Sequence, residues 1–427
     1  MKILHILDYH PKYHSIYGGA EIATLRLIEK LKTNNIENYI LITRIKKKEK
    51  IESNIYSMKT MHNLINFNNP NIFRNKIFSI ISSFYHLIFP FDIYVFLKSK
   101  KVIEKIKPDL IHFHNFKKIS FAPLIWAKIF KIPTVLSIYD YWFFCPNETL
   151  LDNNGNICEE YSGIKCFYCF KKVSPKYRIF LPFRKYFFNF FLKNIDAFIF
   201  LSNASLEIGR KYGLSKRKLI FIPQIFEKSE EDINHNNEIE KNSILYSGWV
   251  QYRKGLHILI KAIAEIKKLF PDVKLYVVGE IEKVEKDYVE EILKNIKEMK
   301  IERNVIIVGK ITPEQIKNYF RKAEILVIPE QWENMSPVIL VEGMYNKKAI
   351  VASRIGGIKE FIEDGKSGFL CEPKNFKEFA EKIIILLKDK DLAKKMGENA
   401  FEKAKKIWND EKNAKKIIML YRRLKNG

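Results

Sequence analysis

Short apolar runs alternate with amphipathic stretches along most of the chain, and this pattern predicts parallel strands joined by helices. Met1 to Leu7 and Pro133 to Ile138 are apolar runs, whereas the apolar positions between Ile22 and Leu31 are spaced for one face of a helix. A second series of runs begins at Ser243 and includes Ile325 to Ile328. Such alternation is typical of α/β domains with open parallel sheets. We therefore expect two such domains in succession.

The most polar stretch of the chain lies within this alternation and predicts a linker. It runs from Glu227 to Asn242 and reads EKSEEDINHNNEIEKN, a composition that suits an exposed connection. We expect an N-terminal domain at 1–226, a linker at 227–242, a second domain at 243–408 and a closing helix at 409–427. A chain of 427 residues is too long for one ordinary core, and an apolar fraction of 47% is ample for two.

The stretch from Ile325 to Gly357 predicts a ligand site in the second domain. Its first apolar run leads into a loop with Glu333, a short helix carries Glu342, and a second run leads into Gly356 and Gly357. In an open parallel sheet, the loops after the carboxyl ends of neighbouring strands line one crevice. Carboxylates there can accept hydrogen bonds from sugar hydroxyls, and glycines let backbone N–H groups approach phosphate oxygens. A nucleotide sugar is therefore the first ligand to expect.

Two cations precede a glycine at the start of a predicted helix in the same domain. Arg253, Lys254 and Gly255 follow the apolar run that ends near Ser247. The partial positive charge of a helix N-terminus adds to that of the two side chains. We expect this loop to hold a diphosphate.

A glycine pair follows the first strand of the N-terminal domain. Gly18 and Gly19 open a helix that carries Glu21, and a strand, glycine loop and helix together present backbone N–H groups to phosphate. Paired glycines also serve ordinary tight turns. If catalysis uses a protein nucleophile, Asp140 and Glu21 are the carboxylates expected nearest to the site, and neither is a strong candidate.

Two further loops should reach the same edge of that sheet. His112 and His114 lie on one side of a predicted strand, where a histidine either orients a substrate or is satisfied by the backbone. The strand that ends at Ile138 delivers Tyr139 and Asp140. This loop is aromatic and acidic.

Four of the five cysteines fall close together, at Cys145, Cys158, Cys166 and Cys169. The Cys-x-x-Cys pair fits one edge of a tetrahedral metal site, and four thiolates would satisfy a structural zinc ion or, as the lesser alternative, an iron-sulfur cluster. Unligated thiols on an irregular insertion are the other interpretation.

A net charge of +25 suits an anionic partner, which is a nucleic acid, an anionic membrane surface or a phosphorylated substrate. A solvated basic surface without a dedicated role explains the same excess. The stretch from Pro175 to Lys193 interleaves cations with aromatic residues, which suits a membrane interface or a core helix with cationic ends. The apolar segment at 75–97 poses the same choice. With no signal peptide visible, we expect a cytoplasmic protein, peripheral at the inner face of the membrane if these stretches contact lipid.

The chain resembles the retaining glycosyltransferases of family 4, in a subgroup with a cysteine-containing insertion at about 145–170. The resemblance covers nearly the whole chain. It is carried by GGAE at 18–21, DLIHFHN at 109–115, SIYDYWFFCP at 137–146, RKG at 253–255, ENMSPVILVEGM at 333–344 and ASRIGGIKEFIEDGKSGFL at 352–370. It implies the GT-B architecture, in which two Rossmann-like domains face a central cleft and a C-terminal helix crosses back to the first domain.

The resemblance also implies roles for individual residues. Glu342 matches a glutamate that binds the ribose hydroxyls of the donor, and Lys254 matches a lysine that holds its diphosphate. Backbone N–H groups near Gly19 and in the loop of Met335, Ser336, Pro337 and Val338 complete the phosphate site. Enzymes of this family are typically independent of a catalytic metal.

Three positions depart from the family pattern. The partner of Glu342 falls on Asn334 rather than Glu333, so either residue is a candidate for the sugar contact. Trp249 replaces an arginine, for which Arg253 would compensate. Tyr139 replaces a histidine that touches the donor sugar and the reacting centre.

The resemblance implies transfer of a sugar from a nucleotide-diphosphate donor to a hydroxyl of a growing, lipid-linked cell-surface glycan, with retention at the anomeric carbon. Nucleic acid is not an expected partner. The three departures motivate an alternative, a catalytically impaired GT-B protein that binds nucleotide sugars or glycans.

Overall fold

The structure is a computed structural model that describes residues 1–14, 17–45, 51–60, 88–171, 175–226, 239–281 and 285–427. The chain divides into two compact units. Unit 1 comprises Met1–Ile225 and Asp410–Gly427, and unit 2 comprises Phe226–Asn409. The first part of the predicted linker, 227–238, and most of the apolar segment at 75–97 lie outside the described residues.

The described strands of unit 1 form one parallel sheet in the order β3-β2-β1-β4-β5-β6-β7. They are β1 (Lys2–Ile6), β2 (Glu37–Thr43), β3 (Ile55–Met58), β4 (Leu110–Phe113), β5 (Thr134–Ile138), β6 (Ala197–Phe200) and β7 (Leu219–Phe221). Every residue of β4, β5 and β6 is buried, as expected for central strands that are covered on both faces.

The helices of unit 1 connect these strands. In chain order they are α1 (Gly19–Lys32), α2 (Ile93–Ile106), α3 (Ala122–Ile129), α4 (Lys165–Cys169), α5 (Pro175–Arg178), α6 (Arg184–Leu192) and α7 (Asn203–Tyr212), with 3-10 turns at Leu181–Phe183 and Lys216–Lys218. Helix α7 begins where the Ser202 side chain accepts a hydrogen bond from the Ser205 backbone N–H, which satisfies one of the donors left open at a helix start.

Unit 2 repeats the plan with a parallel sheet in the order β10-β9-β8-β11-β12-β13. Its strands are β8 (Ser243–Ser247), β9 (Lys274–Val278), β10 (Val305–Gly309), β11 (Ile325–Ile328), β12 (Ala349–Ser353) and β13 (Phe369–Cys371). Its helices are α8 (Leu256–Ile266), α9 (Lys286–Glu298), α10 (Pro313–Lys322), α11 (Val338–Tyr345), α12 (Ile358–Phe361), α13 (Phe376–Lys388) and α14 (Lys390–Ile407), and Tyr252–Lys254 is a 3-10 turn. The two parallel sheets confirm the predicted α/β class.

The last helix, α15 (Asp410–Asn426), returns to unit 1. Its residues Ala414, Ile417 and Tyr421 are buried in a core cluster that also contains Ile3 of β1 and Leu27 of α1. Near the C-terminal end of the helix, Lys425 forms a salt bridge with Asp109, with 2.8 Å between Nζ and Oδ1. The predicted return of the C-terminal helix to the first domain is confirmed.

Helix α6 and the turn before it present aromatic side chains to both sides. Phe188 and Phe191 are buried, whereas Phe183, Tyr186 and Phe190 are 60%, 77% and 65% exposed. The sequence left a membrane interface and a core helix open as alternatives. The buried face of α6 is that of a core helix, and the exposed aromatic face is the one that a membrane contact would use. Within the described ranges, no helix combines the length and apolarity needed to span a bilayer.

Arg184 differs from the membrane-facing role that its sequence context suggests. The side chain is fully buried, and its guanidinium donates to the backbone carbonyls of Trp142 and Phe143. The planar group also lies 3.7 Å from the Phe188 ring centroid. Arg184 therefore ties α6 to the loop after β5 and does not face solvent.

Candidate functional site

Three loops of unit 2 meet at the carboxyl ends of neighbouring strands. The loop after β8 contains Arg253 and Lys254, the loop after β11 runs from Pro329 to Pro337, and the loop after β12 contains Gly356. Because β8, β11 and β12 are adjacent in the sheet, the three loops lie side by side. Arg253, Lys254 and the loop before α11, all expected from sequence to bind the donor, thus lie at one edge of the unit 2 sheet, whereas Gly18 and Gly19 belong to unit 1.

Glu330 is the centre of this group of loops. It is 2% exposed, and one carboxylate oxygen lies 2.5 Å from Lys254 Nζ. The other oxygen accepts hydrogen bonds from Trp332 Nε1 and from Asn334 Nδ2, the latter at 2.7 Å. Burial lowers the pKa of Lys254, and the Glu330 carboxylate opposes that shift. A buried charge pair of this kind is stable only while both partners are present.

The Arg253 loop and the Pro329 loop are joined through their backbones. Gln331 N–H donates to the Arg253 carbonyl at 2.8 Å, and the Arg253 guanidinium lies 4.7 Å from the Trp332 ring centroid. Gly255 makes this approach possible, because a Cβ atom there would lie 1.7 Å from the Pro329 carbonyl oxygen. Its φ of 73° is also one that side chains disfavour.

The loop after β12 closes on the same segment. Gly357 N–H donates to the Asn334 carbonyl at 2.8 Å, and a Cβ at Gly356 would lie 2.4 Å from that oxygen. The Asn334 backbone and side chain are therefore both used within the loops. Glu333, which directly precedes Asn334, is partly exposed.

The remaining predicted donor residues continue from this loop into α11. Met335 and Ser336 are buried, Pro337 is the N-cap, and Val338 is the first helical residue. Glu342 lies one turn further along α11 and is half-buried.

A second edge forms in unit 1 where β1, β4 and β5 end. There the Glu21 carboxylate accepts from Gly18 N–H at 2.8 Å and from Asn115 Nδ2 at 3.1 Å. The Gly18 N–H, expected to serve phosphate, is thus used within the protein, and Gly19 begins α1. Glu21 is 4% exposed, and its two hydrogen bonds join the start of α1 to the loop after β4.

Tyr139 follows β5 and is half-buried at the same edge. Its hydroxyl lies 3.3 Å from His114 Nδ1 and 3.4 Å from Thr24 Oγ1. Burial raises the pKa of Tyr139 to about 12, so the phenol keeps its proton at neutral pH.

Asp140 is held by neighbours. Its carboxylate lies 2.8 Å from Lys117 Nζ and accepts a hydrogen bond from Trp142 N–H at 2.9 Å. Lys117 also pairs with Glu148 at 2.8 Å. Although burial lowers the pKa of Lys117, the two carboxylates raise it above its ordinary value. This arrangement fixes the loop after β5.

His112 and His114 are buried side by side, and His5 of β1 joins them. Among the described residues, these three form the one group whose ligand atoms are close enough to share a metal ion, all within 4.8 Å of one another. Their ring nitrogens already have partners: Asn38, Tyr139, Tyr421, Ser137 and one another. The cluster is therefore a hydrogen-bonded network, and neither His112 nor His114 reaches the surface as a substrate-orienting residue would.

Cys145, Cys158, Cys166 and Cys169 line one cavity of about 250 Å³. In the part of the chain that the structure describes, no three of their sulfur atoms lie within 4.8 Å of one another. Burial raises the pKa of Cys145, Cys166 and Cys169, so these thiols keep their protons at neutral pH when no metal ion is bound to them. The residues gather as the metal prediction requires, but they do not form a zinc ligand set in this conformation.

Comparison with known proteins decides the family. The model described as "Glycosyltransferase Family 4" matches residues 17–226, and the model described as "Glycosyl transferases group 1" matches residues 227–403. The chain belongs to the family 4 glycosyltransferases. This glycosyltransferase is 27% identical over 411 residues to an uncharacterized glycosyltransferase of Methanocaldococcus jannaschii, covering 95% of this chain and 94% of that protein. It is 34% identical over 153 residues to the lipopolysaccharide 1,2-N-acetylglucosaminetransferase of Salmonella typhimurium, covering 35% and 40% of the two chains.

Solved structures agree on the GT-B fold of this glycosyltransferase. The Anabaena protein HepE, in complex with UDP and glucose, superimposes with a TM-score of 0.69 at 20% identity, covering 98% of this chain and 99% of HepE. Sucrose-phosphate synthase of Thermosynechococcus elongatus gives a TM-score of 0.71 at 17% identity, covering 99% and 98%.

Two buried carboxylates of this glycosyltransferase escaped the sequence analysis. Glu330 lacks a recognisable motif, although its place directly after β11 and Pro329 is a usable signal. Asp8 follows β1 and accepts hydrogen bonds from the N–H groups of Lys118 and Ile119 at 2.9 to 3.0 Å. Burial raises the pKa of Asp8 to about 7.

Proposed function

We propose that this glycosyltransferase binds a nucleotide-diphosphate sugar in unit 2 and transfers the sugar to a carbohydrate hydroxyl with retention at the anomeric carbon. The observation that carries this proposal is the group of loops around Glu330, which holds Lys254 at the ends of three adjacent strands. UDP complexes of the similar Anabaena protein support a nucleotide donor.

In this proposal, Lys254 and the N–H groups of the loop before α11 face the diphosphate. A cation there offsets the negative charge that grows on the leaving phosphate, and it does so most strongly where water is excluded. Glu342 accepts hydrogen bonds from the ribose hydroxyls. We assign the sugar contact to Glu333, because Glu333 is partly exposed whereas Asn334 is buried and its side chain donates to Glu330.

No protein nucleophile is required in this mechanism. Asp140 is held by Lys117, and Glu21 by Gly18 and Asn115. We propose that the departing diphosphate takes up the proton of the acceptor hydroxyl, as in the mechanism implied by the family resemblance.

Titration calorimetry with a panel of UDP-, GDP-, ADP- and TDP-sugars tests the donor assignment. We expect at least one nucleotide sugar to bind with a Kd in the micromolar to millimolar range, and its affinity to fall when Glu342 is replaced by alanine. The matched control is Glu381→Ala, which changes an exposed acidic residue on α13 of unit 2, outside the three loops of the site. Equal affinity in wild type, Glu342→Ala and Glu381→Ala would refute the ribose contact.

The alternative is a binding module that retains the donor site without turnover. The replacement of a family histidine by Tyr139 motivates it. Such a protein would bind nucleotide sugars in the titration but release no nucleoside diphosphate.

We propose that a lipid-linked acceptor is reached at a membrane surface through the exposed face of α6. Phe183, Tyr186 and Phe190 follow one another at helical spacing and are all exposed. The hydroxyl of Tyr186 suits the interface between lipid and water, and the two phenylalanines add apolar surface beside it.

Replacing Phe183, Tyr186 and Phe190 together with serine should reduce co-sedimentation with vesicles that contain phosphatidylglycerol. We expect a fall of roughly tenfold or more, because a buried apolar side chain contributes about 1.5–3 kcal/mol. Leu97 and Ile129 are 58% and 57% exposed elsewhere in unit 1, and serine at both positions is the control. If both variants sediment like the wild type, α6 is not the contact.

The metal prediction is tested by elemental analysis of purified protein. Zinc binding requires about one ion per chain, lost in the Cys166→Ser/Cys169→Ser variant. Folded protein without metal would establish that the four cysteines are unligated thiols.

A further inference from the structure

A chain of hydrogen bonds crosses the interior of unit 1, and one end of it fixes its direction. Asn38 Nδ2 lies 2.9 Å from the Ile36 carbonyl oxygen, which can only accept. The amide oxygen of Asn38 therefore faces His5 Nε2, at 2.9 Å. Since that oxygen also can only accept, the proton of His5 is on Nε2.

The proton position on His5 determines the donor and acceptor in the next two hydrogen bonds, up to Tyr139. Burial lowers the pKa of His5 to about 4 and that of His114 well below its ordinary value, so both rings are neutral and carry one proton each. His5 Nδ1 then accepts from His114 Nε2, at 3.0 Å. His114 Nδ1 carries no proton and therefore accepts a hydrogen bond from the Tyr139 hydroxyl, at 3.3 Å.

His112 lies beside this chain and has partners of its own. Its Nε2 lies 2.8 Å from Ser137 Oγ, and its Nδ1 lies 2.6 Å from the Tyr421 hydroxyl. The bonds from Tyr139 through His114, His5 and Asn38 to the Ile36 carbonyl all point the same way, and bonds aligned in this manner strengthen one another.

Thr24 does not disturb this polarity. Its hydroxyl donates to the Ala20 carbonyl at 2.8 Å, so its proton is not available to Tyr139. The histidines, Ser137 and Tyr421 are buried, whereas Tyr139 is half-buried at the edge where β1, β4 and β5 end.

We infer that this one-way chain holds Tyr139 as a hydrogen-bond acceptor, which binds a hydroxyl of the carbohydrate substrate and does not protonate it. The substrate part of this inference rests on the proposed function, whereas the polarity does not. His114, His5 and Asn38 are positioning residues in this account. The sugar hydroxyl donates to a lone pair of the phenol oxygen, and no proton is transferred.

Long-range proton–nitrogen NMR on protein labelled with ¹⁵N-histidine reads the polarity directly. His5 and His114 should each carry the proton on Nε2 and stay neutral from pH 8 to pH 5.5; single glutamine substitutions assign their signals among the nine histidines. The control Thr24→Val should leave both unchanged. In Asn38→Leu, His5 and His114 should change to a mixture of tautomers. A wild-type His114 proton on Nδ1 would overturn the inference, because the Tyr139 proton would then face outwards.

Kinetics of Tyr139→Phe test the substrate contact with the nucleotide sugar that the wild type turns over. A hydrogen bond made equally in the ground and transition states affects KM alone. We expect KM for donor or acceptor to rise roughly 5- to 10-fold, with kcat within about twofold. A lower kcat at unchanged KM would show that the phenol acts as an acid and would overturn the assignment. Absence of wild-type turnover would refute the proposed function, while the NMR result would still decide the polarity.

Discussion

Lys254→Met is expected to lower kcat/KM for nucleotide-sugar turnover by about 100-fold or more, because a single group that stabilises developing charge in the transition state contributes on that scale. The same substitution leaves the Glu330 carboxylate buried without its cation. The Glu330 side chain is only 2% exposed. Removing one partner of a buried ion pair costs about 3–5 kcal/mol. We therefore expect a lower free energy of unfolding as well.

A second substitution separates the two effects. Lys254→Met/Glu330→Gln removes both charges, and the amide oxygen that replaces the Glu330 carboxylate can still accept from Trp332 or Asn334, so stability should return towards the wild-type value while turnover stays low. The control is Lys268→Met, since the pair of Lys268 with Glu265 is exposed and such pairs contribute about 0–1 kcal/mol. If the double variant recovers turnover together with stability, Lys254 acts through the fold and not through the donor phosphate.

Gly255→Ala should be among the most destabilising single-methyl changes in unit 2. The added Cβ would lie 1.7 Å from the Pro329 carbonyl oxygen, so the Arg253 and Pro329 loops must separate. A left-handed conformation costs a side chain about 1–2 kcal/mol, and overpacking adds about 1–3 kcal/mol. Donor affinity should fall too, because Lys254 is carried by the displaced loop.

Gly309→Ala is the matched control for this prediction. Its φ of 78° is close to the 73° of Gly255, but a Cβ there meets nothing within 4 Å. Chemical denaturation of both variants should show the conformational cost alone at Gly309 and the larger sum at Gly255. Equal losses in the two variants would mean that the contact between the two loops contributes nothing to stability.

The fold was largely predictable because the buried strands are continuous apolar runs that differ from the amphipathic helices around them. Ile325 to Ile328 is one such run, and β11 has the same bounds. The position of Lys254 just before a helix was predictable as well, since a cation beside a glycine at a helix start is a local pattern. The GT-B assignment depended on motif order along the whole chain.

The residues that escaped prediction depend on contacts distant in sequence. Glu330 matters because β8 and β11 are neighbours, which brings Lys254 to it across 76 positions. His5 is opposite His112 only through the register of β1 with β4. Asp140 is a candidate for catalysis in the sequence, but its ion pair with Lys117 joins residues 23 positions apart and has no local signal. Local patterns carry no information on such pairings.

Release of nucleoside diphosphate from a panel of nucleotide sugars, with the anomeric configuration of the new bond read by NMR, tests the central claim most directly. We expect the wild type to release nucleoside diphosphate from at least one donor, the product to keep the donor's anomeric configuration, and Lys254→Met to release nucleoside diphosphate at least about 100-fold more slowly. A donor that binds but is never cleaved, or a product with inverted configuration, would contradict the account.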